Sequence, residues 1–350
     1  MQKLSKRQLN ILDFIRKSKK ANNLEIKKYL EENFGAISRA TVGRDINKLL
    51  ENNLIQKQGK GRSVWYQELA PSSLLAFFDA EEYFKQYPDR REIAFERFNF
   101  DIFKDLKDIF VKEELVELER LNNDYKQRIK KLTPAIIKKE FERLTIELSW
   151  KSSRIEGNTY SLIDTEILIK QNKEAKGKSK EEAIMILNHK KALDYIIDKR
   201  SDFKKITLRK IENIQKLIVQ DLDIQNGLRN IPVGIVGTRY RPLDNSHQIL
   251  EAAEKFIKII NKLKDPFSKA LVAILMVSYI QMFEDGNKRT ARLLGNAILL
   301  ANGACPLSYR SIDEADYKKA TILFYEQNSA RFFKELFIEQ FKFAAGNYFL

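Results

Sequence analysis

The chain has 350 residues, enough for two or more domains, and 43% of them are hydrophobic, enough for a sizeable core. Thirteen glycines and seven prolines beside abundant Leu, Ile, Lys and Glu favour helices, and a lone cysteine, Cys305, excludes an internal disulfide and suits a reducing, cytoplasmic setting. The start, MQKLSKRQLN, has no apolar leader segment, and the longest apolar run, Ala270 to Tyr279, is far short of the ~20 residues that span a bilayer, so no membrane partner is expected.

The net charge of +15 is unevenly spread. Residues 1–66 hold 15 lysines and arginines against 6 acids, a net of +9, which points to a polyanionic partner. Ser5 caps a first helix, with Gln8 completing a capping box, and Leu9, Ile11, Leu12, Phe14 and Ile15 form its buried face. Asn22 and Asn23 break it. A second helix runs from about Leu24 to Glu32, and the turn NFGAIS leads to Ser38, which caps a third with Val42, Ile46, Leu49 and Leu50 on its apolar face. The segment LIQKQGKGRSVWYQ then gives two β-prone stretches around a Gly-Lys-Gly turn. Three short helices and a basic hairpin, residues 1–67, resemble a winged helix-turn-helix. The resemblance implies DNA as partner. Arg39, Thr41 and Arg44 would lie at the start of the recognition helix, and Lys57, Lys60 and Arg62 on the wing would neutralise phosphates. The other reading is a protein-binding winged helix whose basic face is merely solvated. The Gly-Lys-Gly turn lacks the glycine spacing and helix of a P-loop.

Residues 68–134 read as a helical connector. PSS at 71–73 marks a boundary, an aromatic-rich stretch follows, and VKEELVELERLNNDYKQRIKKL has the period of a bridging or dimer-forming helix, hence a possible homodimer. From Pro134 the chain is helix after helix, the first near residues 138–158. GLRNIPVGIVGTRYRPLD departs from this. Its alternating β-branched residues and glycines predict a short hairpin. A helix near 248–263 and an apolar helix near 267–281 follow, and then MFEDGNKRTAR.

In that last segment Gly286 and Asn287 form a turn feeding a helix whose buried side is Leu293, Leu294, Ala297, Ile298 and Leu300. Unsatisfied amides at the helix start, with Lys288, Arg289 and Arg292, make an anion site by geometry. Asp285 beside them suits a Mg²⁺ shared with phosphate oxygens. The competing reading is a capped helix with surface charges.

QMFEDGNKRTAR, residues 281–292, resembles the signature of the Fic family, His-x-Phe-x-(Asp/Glu)-Gly-Asn-x-Arg-x-x-Arg, at Phe283, Asp285, Gly286, Asn287, Arg289 and Arg292. SSRIEGN resembles the family's inhibitory motif through Ser152, Glu156 and Gly157. IPVGIVGTRYRP resembles its flap, with Val233, Gly234, Ile235, Val236, Gly237 and Thr238. The resemblance covers about residues 135–345, within a domain expected over 135–350. It implies a mainly α protein, a winged helix-turn-helix followed by an all-helical Fic domain with a short β-hairpin flap. It further implies AMP transfer from ATP, with Mg²⁺, to a hydroxyl of a target protein or of the chain itself docked at the flap. Asn287 and Arg289 would be catalytic. Gly286, Asn287, Lys288, Arg289 and Arg292 would hold the nucleotide and Asp285 the metal. Glu156, paired with Arg292, would block the γ-phosphate.

Two residues depart from the pattern. Gln281 stands where the family has its catalytic histidine, and a carboxamide cannot take a proton near neutral pH. Of the two histidines, His189 reads as structural, and His247, after the flap, is the candidate substitute. Lys288 stands where AMP-transferring members have glycine and resembles Doc-type protein kinases of the same superfamily. Three readings stay open: an impaired, autoinhibited adenylyltransferase scaffold coupled to DNA binding, a transcriptional regulator using a degenerate domain as nucleotide or partner sensor, and a Doc-like kinase.

Overall fold

Side-chain caps fix the first helix where the sequence marks it. Ser5 Oγ accepts from the Gln8 amide at 3.2 Å, and Gln8 Oε1 accepts from the Ser5 amide at 2.9 Å. Helix α1 (Lys6–Ser18) then buries Ile11, Leu12 and Ile15. The structure, a computed structural model, describes residues 4–69 and 73–350. They form two units, one up to Glu81 and one from Glu82 to Leu350.

In the first unit α2 (Asn23–Phe34) starts at the residue expected only to break α1. Asn22 Oδ1 accepts from the amides of Leu24 and Glu25 at 2.9 and 3.0 Å, and Glu25 returns the bond to the Asn22 amide at 2.8 Å. Ser38 caps α3 (Arg39–Glu51). Strands β1 (Ala21–Asn22), β2 (Ile55–Gln58) and β3 (Trp65–Glu68) form an antiparallel sheet in the order β1-β3-β2, with Ala21 opposite Tyr66 and Gln58 opposite Trp65. A two-residue strand has no alternation to read, so β1 is invisible in the sequence. Ile11, Ile26, Leu30, Val42, Ile46 and Leu49 fill the core. The buried Asp45 of α3 accepts from Gln8 at 3.0 Å and pairs with Arg7, tying α3 to α1.

A short helix, α4 (Ala80–Tyr83), and a series of 3₁₀ turns lead to α5 (Lys112–Ile129). After it come α6 (Pro134–Ile155), α7 (Leu162–Gln171), α8 (Lys180–Asp198), α9 (Leu208–Ile218), α10 (Ser246–Ile260), α11 (Pro266–Ile280), α12 (Asn287–Ala301), α13 (Glu314–Gln327) and α14 (Arg331–Asn347). The sequence suggests a bridging or dimer-forming role for α5. Its buried side packs on α14 of the same chain: Leu118 and Tyr125 are covered, and Lys334 and Lys342 reach Glu114 and Glu117 at 2.8 and 2.9 Å.

The centre of the second unit is the pair α11 and α12. Every residue from Ala270 to Ile280 is buried, which is why α11 reads as apolar all round. Gly295 lets α12 come close, since a Cβ there would lie 2.8 Å from the Ile274 side chain. Helices α6, α8 and α9 cover the other sides of α12. Among the described residues no helix is long and apolar enough to cross a membrane.

The expected hairpin is a correction. Among the described residues the strands all lie in the first unit, and residues 231–240 have no ladder. Guanidinium groups take the place of a partner strand. Arg229 donates to the carbonyls of Ile231 (2.7 Å) and Leu243, and Arg91 donates to that of Gly237 at 2.5 Å. Arg241 N–H goes to Glu96 O at 2.8 Å, beside a single bridge between Arg97 and Arg241. The alternation correctly marks an extended chain; what it cannot reveal is that the hydrogen-bond partners are side chains.

Candidate functional site

The site begins where α11 stops. Gln281 takes a left-handed conformation (φ 52°, ψ 60°), costly for a residue with a Cβ. Its Nε2 donates to Ser278 O at 2.6 Å, so the carboxamide closes the helix end. The turn is then locked reciprocally: Asn287 Oδ1 accepts from the Phe283 amide at 2.9 Å and Asn287 Nδ2 donates to Phe283 O at 2.7 Å. Gly286 is left-handed at φ 81°, and a Cβ there would come within 3.0 Å of Ile218 and 3.2 Å of Val219. Helix α12 follows with no side chain capping its first turn, so the amides of Asn287, Lys288 and Arg289 keep donors open. These residues line a cavity of about 360 Å³.

Two buried arginines stand behind that turn. Arg289 Nη2 donates to Asp285 Oδ2 at 3.1 Å, and its Nη1 has no partner. Arg292 Nε donates to Ser152 Oγ at 2.8 Å and its Nη2 to Ser152 O at 2.9 Å, while its Nη1 also lacks a partner. The ring of Tyr317 lies 5.2 Å below the guanidinium. Glu156, the C-cap of α6, enters the cavity and accepts from Arg292 Nη2 at 2.8 Å, with Lys288 Nζ 3.5 Å from its other oxygen. Burial pushes the Glu156 carboxyl up, but Arg292 and then Lys288 outweigh it and hold it below the usual carboxylate range. Glu156 is therefore an anion at neutral pH. Gly157, left-handed at φ 100°, turns the chain away after it.

The opposite wall is residues 233–236, with Val236 96% exposed, and α13 contributes Tyr317, Thr321 and Tyr325. Gly237 and Thr238 lie outside the cavity, on an anchor the sequence does not announce. The buried carboxylate of Glu326 accepts from Thr238 Oγ1 at 2.6 Å, Tyr83 Oη at 2.7 Å and Arg91 Nη2 at 2.9 Å. Arg91, Arg229 and Glu326 are isolated charges without period or motif, and no local signal marks them.

Neither histidine approaches the cavity wall. His189 is wholly buried with both ring nitrogens unpartnered, and burial, then Arg292 and Arg289, push it well below its usual value. His247 is exposed in the first turn of α10. Among the described residues no group of three or more His, Cys, Asp or Glu could hold a metal. Asp285 is a single, largely exposed carboxylate at the cavity, which fits a Mg²⁺ that takes its other ligands from phosphate and water.

In the first unit Arg39 and Arg44 are exposed at the start of α3, and Thr41 gives its amide to Ser38 Oγ at 3.1 Å. Lys57 and Lys60 are exposed at the β2 end and the turn after it. The Arg62 side chain lies outside the described residues.

Known proteins share parts of this chain. A protein adenylyltransferase Fic of Nematostella vectensis is 30% identical over 182 residues, 48% of this chain and 40% of that protein. One of Aedes aegypti is 31% identical over 183 residues, 50% of this chain and 36% of that protein. The match therefore spans well under half the length of these relatives. A Fic domain containing signaling protein of Bacteroides thetaiotaomicron shares the fold, with a TM-score of 0.54 at 20% identity over 65% of this chain and 92% of that one. Residues 205–299, which hold the locked turn, both arginines and the extended wall, match the Fic/DOC family, and the second unit thus carries a Fic/DOC family domain.

Proposed function

We propose that the second unit is a protein adenylyltransferase scaffold that binds ATP against the start of α12, is held closed by Glu156, and is impaired in transfer by Gln281. One observation carries this reading. Open amides and the buried Arg289 guanidinium, its Nη1 unpartnered, line a cavity that the chain's own Glu156 carboxylate enters, and the buried Arg292, its Nη1 also unpartnered, holds that carboxylate from behind. Such a donor set is built for an anion larger than a carboxylate. The adenylyltransferase names of the relatives favour a nucleotide.

In this reading Arg289, Arg292 and the α12 amides orient the phosphates. Asp285 would hold Mg²⁺, which supplies charge neutralisation at the phosphates. A target hydroxyl, from another protein or this chain, would lie along residues 233–236. Gln281 sits where a base would act, yet its carboxamide has no basicity and its N–H is committed to Ser278. Nothing there takes the hydroxyl proton, so transfer of AMP is slow. The same defect supports a sensor that binds nucleotide without turning it over. A Doc-like kinase would need the nucleotide reversed around Lys288.

Titration calorimetry of the full chain with Mg-ATP, Mg-ADP and AMP tests the site. Asp285→Asn, which keeps an acceptor for the buried Arg289 but removes the negative charge, is expected to remove the Mg²⁺ dependence of ATP affinity. Unchanged Mg-ATP affinity in that variant would refute the metal role.

For the first unit, DNA binding is supported by the +9 excess and by Arg39, Arg44, Lys57 and Lys60, none of which pairs with an acid among the described residues. Affinity should fall steeply with salt. Lys57→Ala and Lys60→Ala should each lower the slope of log K against log salt by about 0.9. A slope untouched by both substitutions would remove the wing from the interface.

A further inference from the structure

Glu156 answers two cations, and they differ in kind. Arg292 is fully buried and is fixed independently by two bonds to Ser152 and by the Tyr317 ring. It stays in place whether or not Glu156 does. Lys288 sits on the first turn of α12 with its side chain 29% exposed, and Glu156 is its acid partner at 3.5 Å. Its ammonium rides on a flexible four-carbon stem. Both residues line the same cavity, so a displaced Glu156 would leave Lys288 uncompensated and facing the space that a ligand enters.

We infer that Lys288 is a two-position specificity residue: it reinforces Glu156 in the closed site and turns to the terminal phosphate of a nucleoside triphosphate when Glu156 is displaced. The inference rests on the nucleotide reading given above. It follows that one lysine opposes ATP in one state and selects for it over ADP in the other. Of the remaining acids at the cavity, Asp285 is already paired with Arg289 at 3.1 Å, and Glu284 makes no ion pair with Lys288 among the described residues.

The test is a cycle of four full-length proteins: wild type, Lys288→Ala, Glu156→Gly and the double variant, each titrated with Mg-ATP and Mg-ADP. Glu156→Gln serves as a second background should the glycine variant fold poorly. With Glu156 present, Lys288→Ala should tighten ATP severalfold by weakening the closed state. Without Glu156, the same substitution should weaken ATP roughly tenfold, as expected for loss of one charge-assisted contact, and weaken ADP much less. This reversal of sign is the signature. Weakening of similar size in both backgrounds would overturn the inference by making Lys288 a plain phosphate ligand, and no change in either would overturn it by making Lys288 a bystander. A folded Glu156→Gly protein that binds neither nucleotide would instead bring down the nucleotide reading itself, and the inference with it.

Discussion

The protein carrying both Gln281→His and Glu156→Gly is expected to label itself or a target with AMP at least 10²-fold faster than either single variant. A positioned general base contributes about 10²- to 10⁴-fold, and here it is absent. Restoring it alone leaves Glu156 on Arg292 at 2.8 Å, where it competes with the nucleotide's phosphates. Removing Glu156 alone opens the site but leaves the hydroxyl proton without an acceptor. Groups that serve one transition state are not additive, so the double variant should exceed the product of the singles. ATP labelled at the α-phosphate and at the γ-phosphate, run in parallel, distinguishes the readings. Label from the γ-phosphate would identify a kinase with the nucleotide reversed at Lys288. Label from neither, with nucleotide bound, would leave the sensor.

A comparable effect on stability is expected at the far side of the extended wall. Glu326→Leu would leave the buried Arg91 guanidinium without its carboxylate and strip Thr238 and Tyr83 of an acceptor. Breaking a buried pair from one side costs about 3–5 kcal/mol. The melting temperature of the second unit should fall by roughly 10 °C, read by calorimetry, while the first unit's transition stays put. Arg91→Leu together with Glu326→Leu should recover much of the loss, since no charge is then stranded. A single variant that melts like the wild type would show that the pair contributes little.

Much of the candidate site is legible because its signals are local. The turn from Gln281 to Arg292 lies within twelve residues, and caps such as Ser5 and Ser38 sit three residues from the amides they satisfy. The motif SSRIEGN brought Glu156 into the sequence reading only by resemblance; nothing in its local pattern points to a partner 136 residues away. The anchors of the extended wall had neither advantage. Arg91 and Glu326 are 235 residues apart, and each looks like an ordinary charge in its own surroundings. The hairpin expectation failed for a related reason. Alternation reports which residues are extended, whereas a strand also needs a partner backbone, and here Arg229 and Arg91 supply the hydrogen bonds.

That arrangement has a bearing on how such a wall can change over time. Its path is dictated from outside by Arg229 and Arg91, which donate to main-chain carbonyls that every amino acid possesses, and by Glu326, which accepts from the Thr238 hydroxyl. Val233, Ile235 and Val236 contribute side chains to the cavity but no bond to those anchors. Selection can therefore rewrite these three positions, and with them the surface offered to an incoming chain, while the scaffold that shapes them is inherited intact.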